Sequence, residues 1–197
     1  MGSAAGDPPP SGSDPEVRVE AAEGFAGAAD GFERLWTPHR MAYIRGDRKP
    51  ADPDDAEQCP FCRAPHGSDA DGLIVHRGEL CFVVLNLFPY NPGHLMVCPY
   101  RHVSSYVDLD EAELREFTAL TRTAVRVLAA TSAPHGFNLG MNQGEVAGAG
   151  IAAHLHQHVV PRWGGDANFL PVIGRTKALP ELLEDTRLRL AAAWPAA

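Results

Sequence analysis

Residues 154–160 read His-Leu-His-Gln-His-Val-Val, and this stretch decides the fold. We expect one β-strand from His154 to Val160, because the residues around the histidines are mostly apolar and partly β-branched. Side chains at alternate positions of a strand share a face, so His154, His156 and His158 should line one surface at steps of about 7 Å. The chain holds nine histidines in 197 residues. Three in strict alternation are therefore hard to credit to chance. The alternatives are surface or core histidines that meet by chance, or an adventitious metal clip.

The histidines are preceded by a glycine-rich loop, Gly144–Gly150, with the sequence GEVAGAG. Backbone N–H groups of such a loop can approach an anion without obstruction by side chains. A glycine loop alone is weak evidence, but beside three aligned histidines it indicates a cradle for a phosphate or an oxyanion. Imidazole near neutral pH can act as a nucleophile, a proton donor or a metal ligand. Together the two features favour attack of a histidine nitrogen on phosphorus.

The flanking sequence predicts an antiparallel α+β domain. A hairpin should lead into a long amphipathic helix, which Asp108 caps with Glu111 completing a capping box, and which ends before Pro134. Its apolar face would consist of Leu114, Phe117, Leu120, Ala124, Val127 and Leu128. The other predicted elements are strands Leu80–Leu87, His94–Pro99 and Phe137–Asn142, and a short helix that starts at Pro180.

Composition limits the class of protein. Hydrophobic residues make up 45% of the chain and charged residues 21%, which is enough for one packed domain. We expect this domain at residues 33–197, after a disordered tail at residues 1–32 and with an exposed loop at Gly46–Gln58. The net charge of −8 argues against sequence-independent binding of nucleic acid. The sequence contains neither a secretory signal nor a membrane-spanning run, so we expect a cytoplasmic protein.

Four cysteines are too few and too unevenly placed for a disulfide framework. Cys81 and Cys98 stand alone in apolar runs, and we expect them to be small buried hydrophobic residues. Cys59 and Cys62 have the spacing that lets two thiolates reach one tetrahedral metal, which is half of a zinc site. The alternatives are two reduced thiols without a ligand, or a redox dithiol, although the surroundings do not resemble a thioredoxin unit.

The histidine stretch resembles the His-x-His-x-His-x-x motif of the histidine-triad family of nucleotide hydrolases and transferases, with Gln157 as a polar departure. Pro92-Gly93-His94 also resembles an element of that family. Within the family, three segments are similar to the actinobacterial diadenosine tetraphosphate phosphorylase branch, namely Leu35–Met41, Asn86–His94 and Val160–Phe169. The resemblance covers about residues 34 to 192. It implies the histidine-triad fold, an antiparallel five-stranded sheet with one long and one short C-terminal helix.

The resemblance also implies roles for single residues. His156 would be the nucleophile that takes up the nucleoside monophosphate, and His158 would bind phosphate oxygens, so that His154, His156 and His158 form the catalytic triad. Where the family often has Gln or Ser before the first histidine, this chain has Gly150 and Ile151, which leaves the preference for a leaving group open. The implied nucleotide contacts are Asn86, which would hold the ribose, Asn142, Gly148, Gly150 and His94.

Family members with the same cysteine pair complete a zinc site with two histidines. The corresponding residues are His102 and His154, and His66 is an alternative ligand because it follows Cys62 closely. Such a zinc would be structural, without an open position for substrate. His154 would then support the triad strand instead of donating a proton.

The expected function is that of a nucleotidyl transferase, which cleaves dinucleoside polyphosphates such as diadenosine tetraphosphate through a nucleotidyl-His156 intermediate. Inorganic phosphate is the expected acceptor. The alternatives are a hydrolase that uses water, a phosphoramidase that cleaves AMP–amine conjugates, and a non-catalytic nucleotide-binding module. The resemblance further implies a homodimer, because family members join their sheets and the strand Phe137–Asn142 would otherwise leave an open edge.

Overall fold

The computed structural model describes residues 55–144, 146–166 and 180–196. The predicted tail at residues 1–32, the segment Leu35–Met41 and residues 167–169 lie outside the described residues. The same holds for the predicted loop Gly46–Gln58 up to residue 54. The described part of that loop, residues 55–58, is mostly exposed, as predicted.

Five antiparallel strands form one sheet, in the spatial order β1-β2-β3-β5-β4. This confirms the predicted fold class. The strands are β1 (Ile74–Arg77), β2 (Cys81–Leu85), β3 (Leu95–Pro99), β4 (Gly136–Gly140) and β5 (Gln157–Arg162).

The described residues contain three α-helices besides the sheet, and none of these helices is long and apolar enough to cross a membrane. The long helix α2 packs on the face of the sheet that presents Val83, Leu85 and Val97. Its buried apolar residues are Phe117, Leu120, Ala124, Val127 and Leu128, as predicted, whereas Leu114 is only half-buried. The helices are α1 (Pro60–Arg63), α2 (Glu111–Ser132) and α3 (Leu183–Ala192).

The predicted cap of α2 is wrong by two residues. The cap is Asp110, whose carboxylate accepts from the Glu113 backbone N–H at 2.9 Å, while the Glu113 carboxylate accepts from the Asp110 backbone N–H at 2.9 Å. Asp108 belongs instead to a preceding 3₁₀ turn, Tyr106–Asp108. Glu113 can occupy a buried position, 4% exposed, because Arg101 donates to its carboxylate at 2.6 Å. The helix ends before Pro134, as predicted.

Several strands and one helix begin or end at residues other than those predicted. Strand β5 begins at Gln157, so His154 and His156 precede it, contrary to the predicted strand His154–Val160. The cause is a change of partner, since Leu155 donates its backbone N–H to the Val103 carbonyl at 2.6 Å, outside the strand ladder. The short C-terminal helix begins at Leu183 instead of Pro180. The hairpin strands and β4 are also shorter than predicted.

The other face of the sheet carries a second apolar cluster, which positions the functional residues. Phe82, Val84 and Met96 lie there together with Cys59 and Phe61 of the segment at α1. Cys81 and Cys98 are fully buried, which confirms the prediction that they are small core residues. The α1 segment is thereby held against the sheet close to the histidine stretch.

Candidate active site and metal centre

The four residues predicted as metal ligands lie together. Cys59 precedes α1 and Cys62 lies within it, and one helical turn brings both thiols to the same side. Nδ1 of His154 is 3.4 Å from each of the two sulfurs, and Nδ1 of His102 is 3.2 Å from the Cys62 sulfur. All four potential ligand atoms lie within 4.8 Å of one another. We call these four residues the Cys2His2 group.

The spacing and the donor atoms of this group fit a tetrahedral metal. Ideal zinc–sulfur and zinc–nitrogen bonds imply a ligand-to-ligand distance of about 3.6 Å, close to the observed sulfur–nitrogen separations. The Pro99 carbonyl accepts a hydrogen bond from Nε2 of His154 at 3.0 Å, so the lone pair of that ring is on Nδ1, which faces the sulfurs. The His102 ring faces the Cys62 sulfur with Nδ1. Its Nε2 atom is buried and has no hydrogen-bond partner among the described residues. His66 is exposed and lies outside the group.

The pKa values of His154 and Cys62 are shifted, one in a direction that favours metal binding and the other in a direction that opposes it. Burial lowers the pKa of His154 to about 4, which keeps this imidazole neutral and able to bind a metal. Desolvation and the neighbouring Cys59 raise the pKa of the Cys62 thiol to about 12. A bound cation acts in the opposite direction, because metal binding releases the thiol proton. The thiolate form therefore depends on a cation in the group.

His156 is held by the backbone of its neighbour. Its Nδ1 lies 2.8 Å from the His154 carbonyl oxygen. A carbonyl can only accept, so the proton of the neutral ring is on Nδ1 and the lone pair is on Nε2. Burial lowers the pKa of His156, which favours this neutral form, and the Phe61 ring lies 4.8 Å away, centroid to centroid. The result is a neutral imidazole with its lone pair on Nε2.

His158 has the opposite arrangement of proton and lone pair. The Tyr90 backbone N–H donates to Nδ1 of His94 at 3.1 Å, so the proton of the neutral His94 ring is on Nε2. That Nε2 atom lies 2.9 Å from Nδ1 of His158, which must accept. The neutral His158 ring therefore carries its proton on Nε2. Burial, together with the neighbouring His156, lowers the pKa of His158 to about 4.

The three histidines do not share one strand face. The rings of His156 and His158 are neighbours, with centroids 4.9 Å apart, whereas the His154 ring lies in the Cys2His2 group and is 1% exposed. This follows from the late start of β5, since a regular alternation begins only at Gln157. The three rings therefore have different surroundings. The His154 ring lies beside the cysteines, and the rings of His156 and His158 lie beside each other.

Two of the predicted nucleotide contacts, Asn86 and His94, lie next to each other near His158. Asn86 is half-buried at the end of β2, and its Nδ2 atom is 3.3 Å from Nδ1 of His94. His94 itself is fully buried, so we revise its role from nucleotide contact to support of His158.

The strand that precedes the glycine loop ends beside the same histidine, because Gly140 at the end of β4 pairs with His158. Two residues further along the chain, Nδ2 of Asn142 donates to the Gly148 carbonyl at 3.4 Å. Gly148 has a φ of +84°, a conformation that favours glycine, and Gly150 is half-buried. The loop therefore folds back on the segment that follows β4.

Two aromatic residues at the site, Tyr90 and Phe61, were not predicted from the sequence. The Tyr90 ring is 43% exposed, and its centroid lies 4.7 Å from that of His94 and 5.7 Å from that of His158. Phe61 contacts both His154 and His156. The position of Phe61 between the two cysteines was the available signal, because a side chain in that turn must lie close to the ligand histidines.

Comparisons with known proteins agree with this geometry. The family model described as "HIT domain" matches residues 68–165. AP-4-A phosphorylase of Mycobacterium tuberculosis is 52% identical over 170 residues, which are 85% of this chain and 87% of that protein. The asymmetrical bis(5'-nucleosyl)-tetraphosphatase of Schizosaccharomyces pombe is 31% identical over 110 residues, 56% of this chain and 58% of that protein.

Solved structures show the same fold. A zinc-bound histidine triad family protein from Mycobacterium smegmatis has a TM-score of 0.57 and 25% identity, covering 71% of this chain and 94% of that one. A hypothetical histidine triad nucleotide-binding protein from Sulfolobus tokodaii has the same TM-score, 0.57, and 25% identity, with 68% and 91% of the two chains covered. By its sequence, its fold and the arrangement of its histidines, the chain belongs to the HIT (histidine-triad) domain family.

Proposed function

We propose that this enzyme cleaves dinucleoside polyphosphates, with diadenosine tetraphosphate as substrate, by phosphorolysis through a nucleotidyl-His156 intermediate. The observation that carries the proposal is the pair of opposite imidazole tautomers, a lone pair on Nε2 of His156 beside a proton on Nε2 of His158. The similarity to AP-4-A phosphorylase over 85% of the chain supports the substrate class and the acceptor. Both the nucleotide and inorganic phosphate are cytoplasmic metabolites, so we place the activity in the cytoplasm.

In the first step, Nε2 of His156 attacks the phosphorus atom next to one adenosine. A nitrogen–phosphorus bond forms, the bond to the bridging oxygen breaks, and ATP leaves with the electron pair of that bond. His158 donates its Nε2 proton in a hydrogen bond to a phosphate oxygen, which stabilises the charge that develops there. The Nδ1 proton of His156 stays on the ring, and its hydrogen bond to the His154 carbonyl stabilises the positive charge of the modified ring.

In the second step, an oxygen of inorganic phosphate attacks the same phosphorus atom. The nitrogen–phosphorus bond breaks, its electron pair returns to Nε2 of His156, and ADP is released. Asn86 would hold the ribose, and the loop with Asn142, Gly148 and Gly150 would cradle the phosphates. The products of one cycle are ADP and ATP, and the ring returns to its neutral state.

Hydrolysis is the second candidate, because the relative from Schizosaccharomyces pombe bears the name of a tetraphosphatase. Water would replace phosphate in the second step and release AMP. The glycine and isoleucine at positions 150 and 151 leave the site without the Gln or Ser side chain that often contacts the leaving group in the family. A phosphoramidase and a binding module without turnover are the remaining alternatives.

We propose that the Cys2His2 group binds one structural zinc ion. The group offers two thiols and two imidazole nitrogens, which is a closed tetrahedral donor set. The zinc-bound structural neighbour from Mycobacterium smegmatis supports this choice of metal. The ion would supply folding energy by joining α1, the segment after β3 and His154 at one point.

We propose that the protein forms a homodimer through β4. This strand lies at the edge of the sheet, and its residues 138–140 are exposed. Leu139 is 51% exposed on this edge. A sheet edge that no other described strand pairs with, and that exposes a leucine, is a liability that pairing with a second copy removes.

The reaction is tested by incubating the enzyme with diadenosine tetraphosphate, with and without inorganic phosphate, and separating the nucleotides. We expect ADP and ATP, formed only when phosphate is present. The variant His156→Ala should retain no more than a few per cent of the rate, since the nucleophile is lost, while the control His66→Ala keeps the wild-type rate. AMP formation in the presence of phosphate would contradict phosphorolysis. Substantial turnover by His156→Ala would contradict the nucleophile.

The metal is tested by elemental analysis of protein purified without added zinc. We expect one zinc per chain, its loss in Cys62→Ser, and a marked fall in the melting temperature of that variant, because structural zinc can contribute several kcal/mol or more to folding. Cys81→Ser is the matched control, since Cys81 is a buried cysteine outside the group. His66→Ala should also retain the metal. A wild-type protein without zinc would refute the proposal.

Assembly is tested by light scattering at micromolar concentration. We expect a mass of twice the 21.2 kDa of one chain. Leu139→Lys should shift the population towards monomer, because a charge at the edge disfavours strand pairing. The control is Leu188→Lys on α3, where Leu188 has a similar exposure of 52%. A wild-type mass of one chain, or equal effects of the two variants, would rule out a β4 interface.

A further inference from the structure

A single carboxylate gathers hydrogen bonds from two different parts of the fold. Asp166, in the turn after β5, accepts from Nε of Arg162 at 2.6 Å and from Nδ2 of Asn91 at 2.7 Å. It also accepts from the second Arg162 nitrogen at 2.9 Å and from the Trp163 backbone N–H at 3.2 Å. Its side chain is only 12% exposed, although it belongs to a turn. These bonds hold the pKa of the Asp166 carboxyl well below its usual range, so it is ionised at neutral pH.

Asn91 connects Asp166 to the turn between β2 and β3 by a hydrogen bond. The residue is 8% exposed, and its Nδ2 atom donates both to Asp166 and to the Pro161 carbonyl of β5 at 2.9 Å. Both hydrogens of the amide are therefore in use. Without Asp166, one of them would lie buried with no acceptor, at the full cost of an unsatisfied group.

The same turn holds the hydrogen-bond chain that ends at His158. The His94 backbone N–H donates to the Asn91 carbonyl at 3.1 Å, and Nε2 of His94 lies 2.9 Å from Nδ1 of His158. Gly93 has a φ of +76°, and a Cβ atom there would lie 3.0 Å from the Leu128 side chain. The turn therefore lies close to α2, with no room for a side chain at position 93.

The opposite side of the network is anchored as well. Arg162 donates to the side-chain oxygen of Asn138 on β4 at 2.7 Å while its other nitrogens bind Asp166. Arg162 of β5, which also binds Asn138 of β4, therefore holds the Asp166 carboxylate on one side. Asn91, in the turn between β2 and β3, binds it from the other side.

We propose that Asp166 is a positioning residue of the reaction, which acts through Asn91 and His94 to fix the His158 ring. The kinetic part of this inference rests on the proposed function. The hydrogen-bond partners of Asp166 are Arg162, Asn91 and the Trp163 backbone, not His158. An effect that passes through the His158 ring must vanish when His158 is absent. That requirement separates a positioning role from a general contribution to folding.

The kinetic test is a double-mutant cycle with Asp166→Ala and His158→Ala. We expect Asp166→Ala to lower kcat by roughly tenfold to a hundredfold, as a small displacement of a catalytic group does, with KM changed by less than about twofold. In the His158→Ala background the same change should lower kcat by less than about twofold. An equal loss in both backgrounds would overturn the proposal. The isosteric variant Asp166→Asn serves the same cycle where the alanine variant does not fold.

A second readout does not depend on activity. The proton between Nε2 of His94 and Nδ1 of His158 is shielded from solvent and should give a downfield imidazole N–H signal in proton NMR. We expect this signal to disappear in Asp166→Ala and to persist in the control Asp69→Ala, which removes the ion pair with Arg77 at 2.8 Å on a distant loop. Persistence in Asp166→Ala would overturn the proposal. If the wild-type enzyme showed no phosphorolysis but the signal followed this pattern, the proposed function would fail and the positioning role would stand.

Discussion

The hydrogen bond between Nδ1 of His156 and the His154 carbonyl, 2.8 Å long, is the contact on which the chemistry of this fold depends. A backbone carbonyl has no donor, so the bond settles which nitrogen of the His156 ring keeps its proton. The carbonyl is itself well held, because the His154 ring is buried in the Cys2His2 group and binds the Pro99 carbonyl. The Cys2His2 group and the proposed nucleophile therefore share His154, whose side chain belongs to the group and whose backbone carbonyl accepts from His156.

His158 is oriented by the opposite kind of backbone group. The chain of hydrogen bonds starts at the Tyr90 N–H, which can only donate, and passes through His94. Two adjacent imidazoles are thereby given opposite tautomers, one with a lone pair and the other with a proton on Nε2. Burial lowers the pKa of both rings, so they share the site as neutral groups without mutual repulsion. A nucleophile beside a hydrogen-bond donor is what attack on a phosphate ester requires.

Local patterns in the sequence were sufficient for the fold class, for the core face of α2 and for the pair Cys59 and Cys62, because each depends on residue spacing along a helix, a strand or a turn. The other two members of the Cys2His2 group, His102 and His154, were implied by the family resemblance. Three features depend on contacts between distant segments and were not predicted correctly. Strand β5 starts late because Leu155 pairs with Val103, and the cap of α2 moves to Asp110 because Arg101 allows Glu113 to be buried. His94 is hidden behind His158, and no pattern along the chain shows which of two bonded histidines faces solvent.

The claim that backbone groups set opposite tautomers in neighbouring histidines is open to direct measurement. Nitrogen-15 NMR of the histidine rings at neutral pH distinguishes a protonated nitrogen from one that carries a lone pair. The account predicts that His156 is protonated on Nδ1 and His158 on Nε2, with both rings neutral. A proton on Nε2 of His156 would contradict it, because the atom assigned as the nucleophile would then have no lone pair to attack phosphorus.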